Sequence, residues 1–440
     1  MAVTYVALDQ YLKENGKLYF LLPWTFLKST KGGEGFRKFV ITRNHQQIPV
    51  KVALVDDFND IKIFKPKHTV RTIGVLFVKG QATIYPMKQW FEWHYRQQKL
   101  NFAAHLTWYD VQKNLTNVQL VARPIDSSNL QSAWLTLKAR ELQLAAVLLN
   151  GAKPAYHARK GIEPAGAKGV YILKKTVLVN NNHLKIINDM SRQRRADIKN
   201  KGAHQGIIEN NYVFPMLGGR NIKRWQVVSN EFMLVPHDAT TPYGLSETTL
   251  ASQAPLTYEW LEYYRPELLA TRIQNGKFLN PATQPWYRLD NVGKYTFSRY
   301  KVLWKEQSAS FAAVAVGTYS SLPNADLSLF NGEDKPVVTD SKVLSLAVNS
   351  MNEAYFVTGV LNAPSIRKII DAYAVGLNRG TNVLANIKVP KFDANNYLHQ
   401  QIANISLIIH QFARTNQSQI IAVKEQELNN LVVQLFSNEK

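Results

Sequence analysis

Three short apolar runs open the chain: residues 18–23 (LYFLLP), 50–58 (VKVALVDDF) and 72–80 (TIGVLFVKG). Runs of this length and composition predict central strands covered on both faces. Asn15-Gly16 reads as a turn before the first strand. Residues 35–39 (GFRKF) carry a helix pattern, which predicts a strand–helix–strand unit. Residues 59–71 have no helical period, are basic and contain Pro66, so a hairpin loop fits them. The third strand then runs antiparallel to the other two. Such a sheet leaves a face and an edge uncovered, even if residues 3–13 add one helix. Its missing strands are expected in another chain or in an N-terminal portion that this sequence lacks.

Residues 96–155 read as helical, most clearly at 132–148 (SAWLTLKARELQLAAVL). From 156 to about 390 the pattern shifts to short β-like runs, turns, aromatics and scattered Lys and Arg, with one helix predicted over 257–275. The tail is helical again. Leu398, Ile402, Ile405, Ile409 and Phe412 form one stripe, and Leu428, Leu431, Val432 and Leu435 form a second, with Thr415-Asn416 as the turn between them. Stripes of this kind pack on each other or on a partner. There is no internal repeat and no low-complexity tract. The expected division is 1–95, 96–155 as a helical connector, 156–392, and 393–440 as a helical pair.

Composition adds a partner class. A 45% hydrophobic content over 440 residues excludes a disordered polybasic tail. Against 32 acidic residues stand 53 basic ones, a net charge of +21. A charge of that size points first to nucleic acid, whose phosphates reward clustered cations through counterion release, and second to a membrane surface. No long apolar span or signal peptide suggests insertion or export. The absence of Cys removes disulfides, Cys-ligated zinc and thiol nucleophiles, and fits a cytoplasmic protein. The ten His show no metal-ligand spacing, so no metal is expected. Asp56-Asp57 lacks the residues that flank a nuclease metal site and reads as a strand terminus.

Eight strings occur in an order that resembles the TaqI-like and Eco57I-like adenine-specific DNA methyltransferases. ENGKLYFLLPWTFLKS (14–29), GGEGFRKFVI (32–41) and IFKPKHTVRTIGVLFVKG (63–80) resemble the end of that family's catalytic domain. ARKGIEPAGAKGVYILKK (158–175), NNYVFPMLGGRNIKRW (210–225), QPWYRLD (284–290), RYKVLWKEQ (299–307) and YAVGLNRGTNVLANIKVPKF (373–392) resemble its target-recognition domain. The resemblance implies an α/β fold: a partial Rossmann-like methyltransferase sheet (the last three strands, the final one antiparallel), then a mixed α+β target-recognition domain and C-terminal helices. It implies S-adenosylmethionine as cofactor of the complete enzyme and double-stranded DNA as substrate. The family's Gly-rich donor turn and its Asn-Pro-Pro-Tyr loop are absent, and NPATQPWY (280–287) has no adjacent Pro-Pro after its Asn. The expectation is therefore sequence recognition and target-base positioning for adenine methylation in a restriction–modification-type system, without activity alone. A second polypeptide would carry the N-terminal methyltransferase half. A non-enzymatic DNA-binding specificity subunit and an inactive truncated remnant stay open. A basic RNA-binding protein lacks the usual aromatic signatures.

Candidate residues follow. A methylated adenine must leave the stack, and the resemblance gives Phe64 the role of stacking on it; a loop-anchoring core Phe is the alternative. Lys65, Lys67, His68 and Arg71 would hold flanking phosphates, or form a solvated loop. Gly218, Gly219, Arg220, Asn221, Lys223 and Arg224 make a loop whose glycines allow close approach and whose Arg and Asn suit base edges. Trp225 reads as packing beneath that loop. Arg265, Arg272, Lys277, Trp286, Tyr287, Lys301, Lys305, Asn378 and Arg379 supply further candidates, some of them for phosphate. Arg192, Arg194, Arg195, Lys199 and Lys201 form either a phosphate-tracking loop or a solvated surface.

Overall fold

The three apolar runs form Lys17–Pro23 (β1), Gln46–Phe58 (β3) and Thr72–Lys79 (β4). β4 lies between the other two and antiparallel to both, so β1 and β3 run the same way. Val40–Arg43 (β2) folds back on β3 through Asn44-His45, whose positive φ angles close a tight hairpin. The helix expected over 35–39 is a single 3-10 turn, Phe36–Lys38. β2 begins two residues later, which leaves no room for a second turn.

The computed structural model describes residues 2–29, 33–59, 61, 71–96, 107–149, 153–241, 243–274, 283–373 and 379–437. They divide into two units: Met1–Ala152 with Lys368–Gly376, and Lys153–Arg367 with Leu377–Lys440.

In the first unit, residues 96–155 are not the helical connector their pattern predicts. Met87–Tyr95 (β5), Leu115–Pro124 (β6) and Trp134–Leu137 (β7) extend the sheet to seven strands among the described residues, in the order β1-β4-β3-β5-β6-β7 with β2 on β3. The sheet thus does not stop at three strands. Among the described residues of this stretch, helix is confined to Trp108–Asn114 (α1), the 3-10 turn Ala139–Glu141 and Leu142–Leu149 (α2). The misreading has a physical cause. Every residue of β7 is buried, so no polar alternation marks its period of two. One face of the sheet carries the core, with Leu22, Val55, Ile73, Val75 and Phe77 packed with Trp90 and Trp134. On the other face Tyr19 and Leu21 are 46% and 45% exposed. β1 pairs with β4 alone among the described residues and ends the sheet.

The second unit is mixed. Ile172–Asn180 (β9), His183–Asn188 (β10), Gln205–Glu209 (β11), Val213–Leu217 (β12), Glu231–Leu234 (β15) and Val338–Thr339 (β18) form one sheet. Arg159–Lys160 (β8), Tyr300–Lys305 (β16), Ala313–Val316 (β17) and Val343–Val348 (β19) form another. Ile222–Lys223 (β13) and Gln226–Val227 (β14) make a two-stranded hairpin. The helix expected over 257–275 is two helices, Pro255–Glu262 (α3) and Arg265–Gln274 (α4), broken where Pro266 withdraws its backbone donor.

The helical tail follows the sequence reading. Met351–Asn362 (α5) and Pro364–Tyr373 (α6) precede Tyr397–Arg414 (α7) and Ser418–Ser437 (α8). Ile402 and Ile409 of one stripe and Leu428, Val432 and Leu435 of the other are buried. Asn416, at positive φ, turns the chain between them. The pair does not stand apart: Gly359 of α5 lets α7 approach so closely that a Cβ there would lie 3.0 Å from Ile402 Cγ2. The second unit is therefore one folded body that includes the tail.

Candidate nucleic-acid interface

The neighbouring carboxylates at the end of β3 point to opposite faces of the sheet, as a period of two requires. Asp57 is buried and accepts Arg71 through Nε and Nη2, each at 2.7 Å, and the Trp24 indole N–H at 3.2 Å. The same guanidinium meets Glu92 at 3.2 Å and lies 4.8 Å from the Trp24 ring centre. Arg71 is thus committed to carboxylates, which corrects its assignment to a phosphate-binding rim. A carboxylate sealed from water requires a counter-charge, and Arg71 supplies it.

Lys28 belongs to the same face. Its buried ammonium donates to Thr136 Oγ1 at 2.6 Å and to the Ala372 carbonyl at 2.9 Å. Burial pulls its pKa down from 10.5 to about 7, with the Asp57 charge opposing the fall and Arg71 adding to it. The unfolded chain keeps this proton up to about pH 10.5, and the folded chain releases it near 7. Between those values the unfolded state holds more protons, so stability rises with pH by about 1.4 kcal/mol per unit. Urea unfolding at pH 7 and pH 9 should show the rise. Lys28→Met should reduce the slope by one proton; an unchanged slope assigns the titration to another group, such as the buried Lys301.

On the opposite face Asp56 accepts the Tyr19 hydroxyl at 2.9 Å and the Trp93 indole N–H at 2.8 Å. The Tyr19 ring crosses β4 over Gly74, where a Cβ would come within 1.8 Å of the hydroxyl oxygen. Burial and the Asp56 carboxylate push the Tyr19 phenol up. Tyr19, Asp56 and Trp93, with Phe58, Trp108 and Leu115, border an apolar recess of about 410 Å³.

In the second unit the glycine loop is a 3-10 turn, Gly219–Asn221, closed by Asn221. Asn221 Oδ1 accepts the Gly218 N–H at 2.7 Å, and Nδ2 donates to Ser229 Oγ at 2.9 Å. Asn221 is buried, so it braces the loop and is not presented to a base edge, against the expectation. Gly218 is buried with it. The following hairpin places Trp225 at φ 67°. The Trp225 ring is buried, its N–H donates to Glu425 Oε1 at 2.5 Å, and it stands edge-on to His410 at 5.3 Å. Trp225 packs beneath the loop, as the sequence reading has it. Arg220, Lys223 and Arg224 remain outward. Arg220 pairs with Glu231, and Arg224 meets Glu425 at 3.0 Å.

Four other candidates are interior. Trp286, Tyr287, Lys301 and Arg379 are all buried. Lys301 Nζ donates to the carbonyls of Val337, at 2.8 Å, and Ser298. Arg379 Nη2 donates to the Ala309 carbonyl at 3.3 Å, and its own carbonyl accepts the Trp304 indole N–H at 2.9 Å. The Lys301 and Arg379 side chains complete backbone hydrogen bonding beside β16, where each strand residue is at least half covered. Lys305 is half-buried at the end of β16. Arg265 pairs with Glu262 at 2.6 Å. In the basic run Arg192 meets Glu231 at 2.7 Å, Arg195 meets Asp197 at 2.5 Å and Lys201 meets Glu267 at 3.0 Å, while Arg194 and Lys199 are exposed. Phe64, Lys65, Lys67, His68, Lys277 and Asn378 lie outside the described residues, and Arg272 does so beyond its backbone.

The structure also brings together residues that the sequence did not single out. Gln226, Ser320, Arg414 and Asn416 border a groove of about 450 Å³ with Lys223. Arg414 ends α7, where a cation ordinarily reads as a complement to the helix dipole. No described helix is long and apolar enough to cross a membrane.

No family model and no curated protein matches the sequence. Among solved structures the chain is similar to the type IIL restriction-modification enzyme MmeI in complex with DNA, at a TM-score of 0.50 and 10% identity, over 99% of this chain and 48% of that one. The type IIG restriction endonuclease BpuSI aligns at a TM-score of 0.29 and 10% identity over 96% of this chain and 47% of that one. The ATP-dependent type ISP restriction-modification enzyme LlaBIII, bound to DNA, aligns at 0.32 and 9% over 91% and 26%. The likeness to MmeI is one of fold, and the chain spans about half of that enzyme's length.

Proposed function

We propose that this chain provides DNA sequence recognition and target-base positioning for adenine methylation in a restriction–modification-type system. The observation that carries the reading is the fold it shares, over 99% of its length, with a restriction-modification enzyme studied on DNA. The net charge of +21 supports duplex DNA as the partner. The second unit is the proposed target-recognition domain. Arg220, Lys223 and Arg224 are its proposed contacts, with Lys305, Arg194 and Lys199 on phosphate. Phe64 is proposed to stack on the extruded adenine, with Lys65 and Lys67 on the flanking phosphates.

The first unit is proposed as the closing part of a Rossmann-like methyltransferase sheet. The antiparallel β4 between two like-directed strands supports this. The outer edge of β1, with Tyr19 and Leu21 half exposed beside it, supports a further polypeptide that adds a strand and covers that face. That polypeptide is proposed to carry the Gly-rich donor turn and the Asn-Pro-Pro-Tyr loop. The recess beside β1 does not fit S-adenosylmethionine: it is apolar, and its Asp56 already holds Tyr19 and Trp93. Donor binding is therefore assigned to the companion.

The test is reconstitution. The chain alone should bind duplex DNA with a sequence preference. Together with a polypeptide carrying the two absent motifs it should methylate adenine. Arg220→Ala should relax the preference at one position, by about 1–3 kcal/mol. A uniform loss over all sequences makes Arg220 a phosphate contact. Binding without methylation in the mixed sample sinks the methylation reading and leaves recognition standing.

A further inference from the structure

Two adjoining spaces lie beside the β13–β14 hairpin of the second unit. The outer one, about 450 Å³, opens between Lys223, Ser320 and Arg414. The inner one, about 200 Å³, is walled by Trp225, His410, Tyr355 and Met351. Gln226, Ser321 and Arg414 border both, so the two lie side by side. Together they reach the size of a small-ligand site, roughly 300–1,000 Å³.

The two parts differ in chemistry. His410 donates from Nδ1 to the Ser406 carbonyl at 2.7 Å and accepts the Ala315 N–H through Nε2 at 3.1 Å. Both ring nitrogens are occupied, and the imidazole is neutral. Tyr355 and Trp225 stand edge-on to it at 5.2 and 5.3 Å. The inner space is therefore lined by these aromatic rings and by aliphatic side chains such as Val314, Val316 and Leu322, with Arg414 the one charged residue on its border. The cations sit at the mouth: Lys223 is exposed, and Arg414 touches the Ser321 carbonyl at 3.3 Å with its side chain otherwise in solvent. Gln226 brings a carboxamide, both donor and acceptor, to the junction. Gly317 lines the inner space, where a Cβ would already stand 3.3 Å from Ser321 Oγ and 3.8 Å from Met351 Sδ. A branched side chain there would occupy the recess.

An aromatic slot behind a cationic mouth suits a planar base carrying a phosphate. We propose that this site binds one nucleotide unit, its base in the inner recess against Tyr355 and its phosphate on Lys223 and Arg414. The unit is either a free mononucleotide or a base turned out of a nucleic-acid strand. The free form does not depend on the DNA-recognition reading, because its probe is a single nucleotide.

The experiment is equilibrium dialysis of the full chain with labelled AMP, beside binding of a duplex carrying one unpaired adenine and of the same duplex with an abasic residue there. A free-nucleotide site gives saturable AMP binding that Arg414→Glu weakens roughly tenfold or more and Gly317→Val abolishes. A strand-borne base gives a preference for the unpaired-adenine duplex that Gly317→Val erases while affinity for the abasic duplex holds. Lys223→Glu and Arg414→Glu change surface residues, so the proposal stays testable if Gly317→Val unfolds. No AMP binding and no preference overturns it. Equal binding by wild type and variants also overturns it. Loss of affinity for every duplex, with AMP binding intact, instead sinks the DNA reading.

Discussion

Arg71→Ala should cost the first unit about 3–5 kcal/mol of folding free energy, the range for a buried carboxylate stripped of its cation. The Asp57 side chain is 1% exposed and receives two 2.7 Å bonds from this guanidinium. The Trp24 indole at 3.2 Å is a neutral donor and does not replace the charge. Glu92 loses the same partner at 3.2 Å, so two acids are left facing each other's field. A shift of the urea midpoint, followed by tryptophan fluorescence, measures the cost. Asp57→Asn in the same background should recover much of it, because the uncompensated charge is gone while an acceptor for Trp24 remains. If Arg71→Ala instead leaves stability intact and weakens DNA binding, Arg71 belongs to the phosphate rim after all.

That contrast shows where sequence reading succeeds and where it fails. The strands β1, β3 and β4 were legible because uninterrupted apolar runs admit few other structures. The stripes on α7 and α8 were legible because their spacing repeats, over about four turns in the first and about two in the second. β7 was not legible, because four buried residues carry no period. The fates of cations were not legible at all. Arg71, Arg192, Lys201 and Arg265 look like free positive charge in the sequence, yet each lies against a carboxylate 3 to 66 positions away. Arg379 and Lys301 satisfy carbonyls in the interior. Asn221, offered as a base reader, holds Gly218 three residues back. The residues at the mouth of the inner recess come from Lys223, Ser320 and Arg414, which only the tertiary fold assembles.

The same sorting of charges fixes how DNA binding should respond to salt. Affinity is expected to fall on the order of a thousandfold between about 50 and about 200 mM salt, which corresponds to roughly six neutralised phosphates. Six is a small share of 53 basic residues, as it should be once the paired and buried ones are set aside. Lys28 and Lys301, both buried with pKa values near 7, contribute little field at the surface. Exposed cations such as Lys223, Arg194 and Lys199 are the ones available to displace counterions. Lys199→Ala should therefore lower the slope of log affinity against log salt by about one, without altering sequence preference. Arg379→Lys, at a buried position, should leave the slope where it was. Titrations of one duplex at four salt concentrations decide between these outcomes. An affinity that ignores salt would mean that the surplus positive charge faces some other partner, and the DNA reading would lose its electrostatic basis.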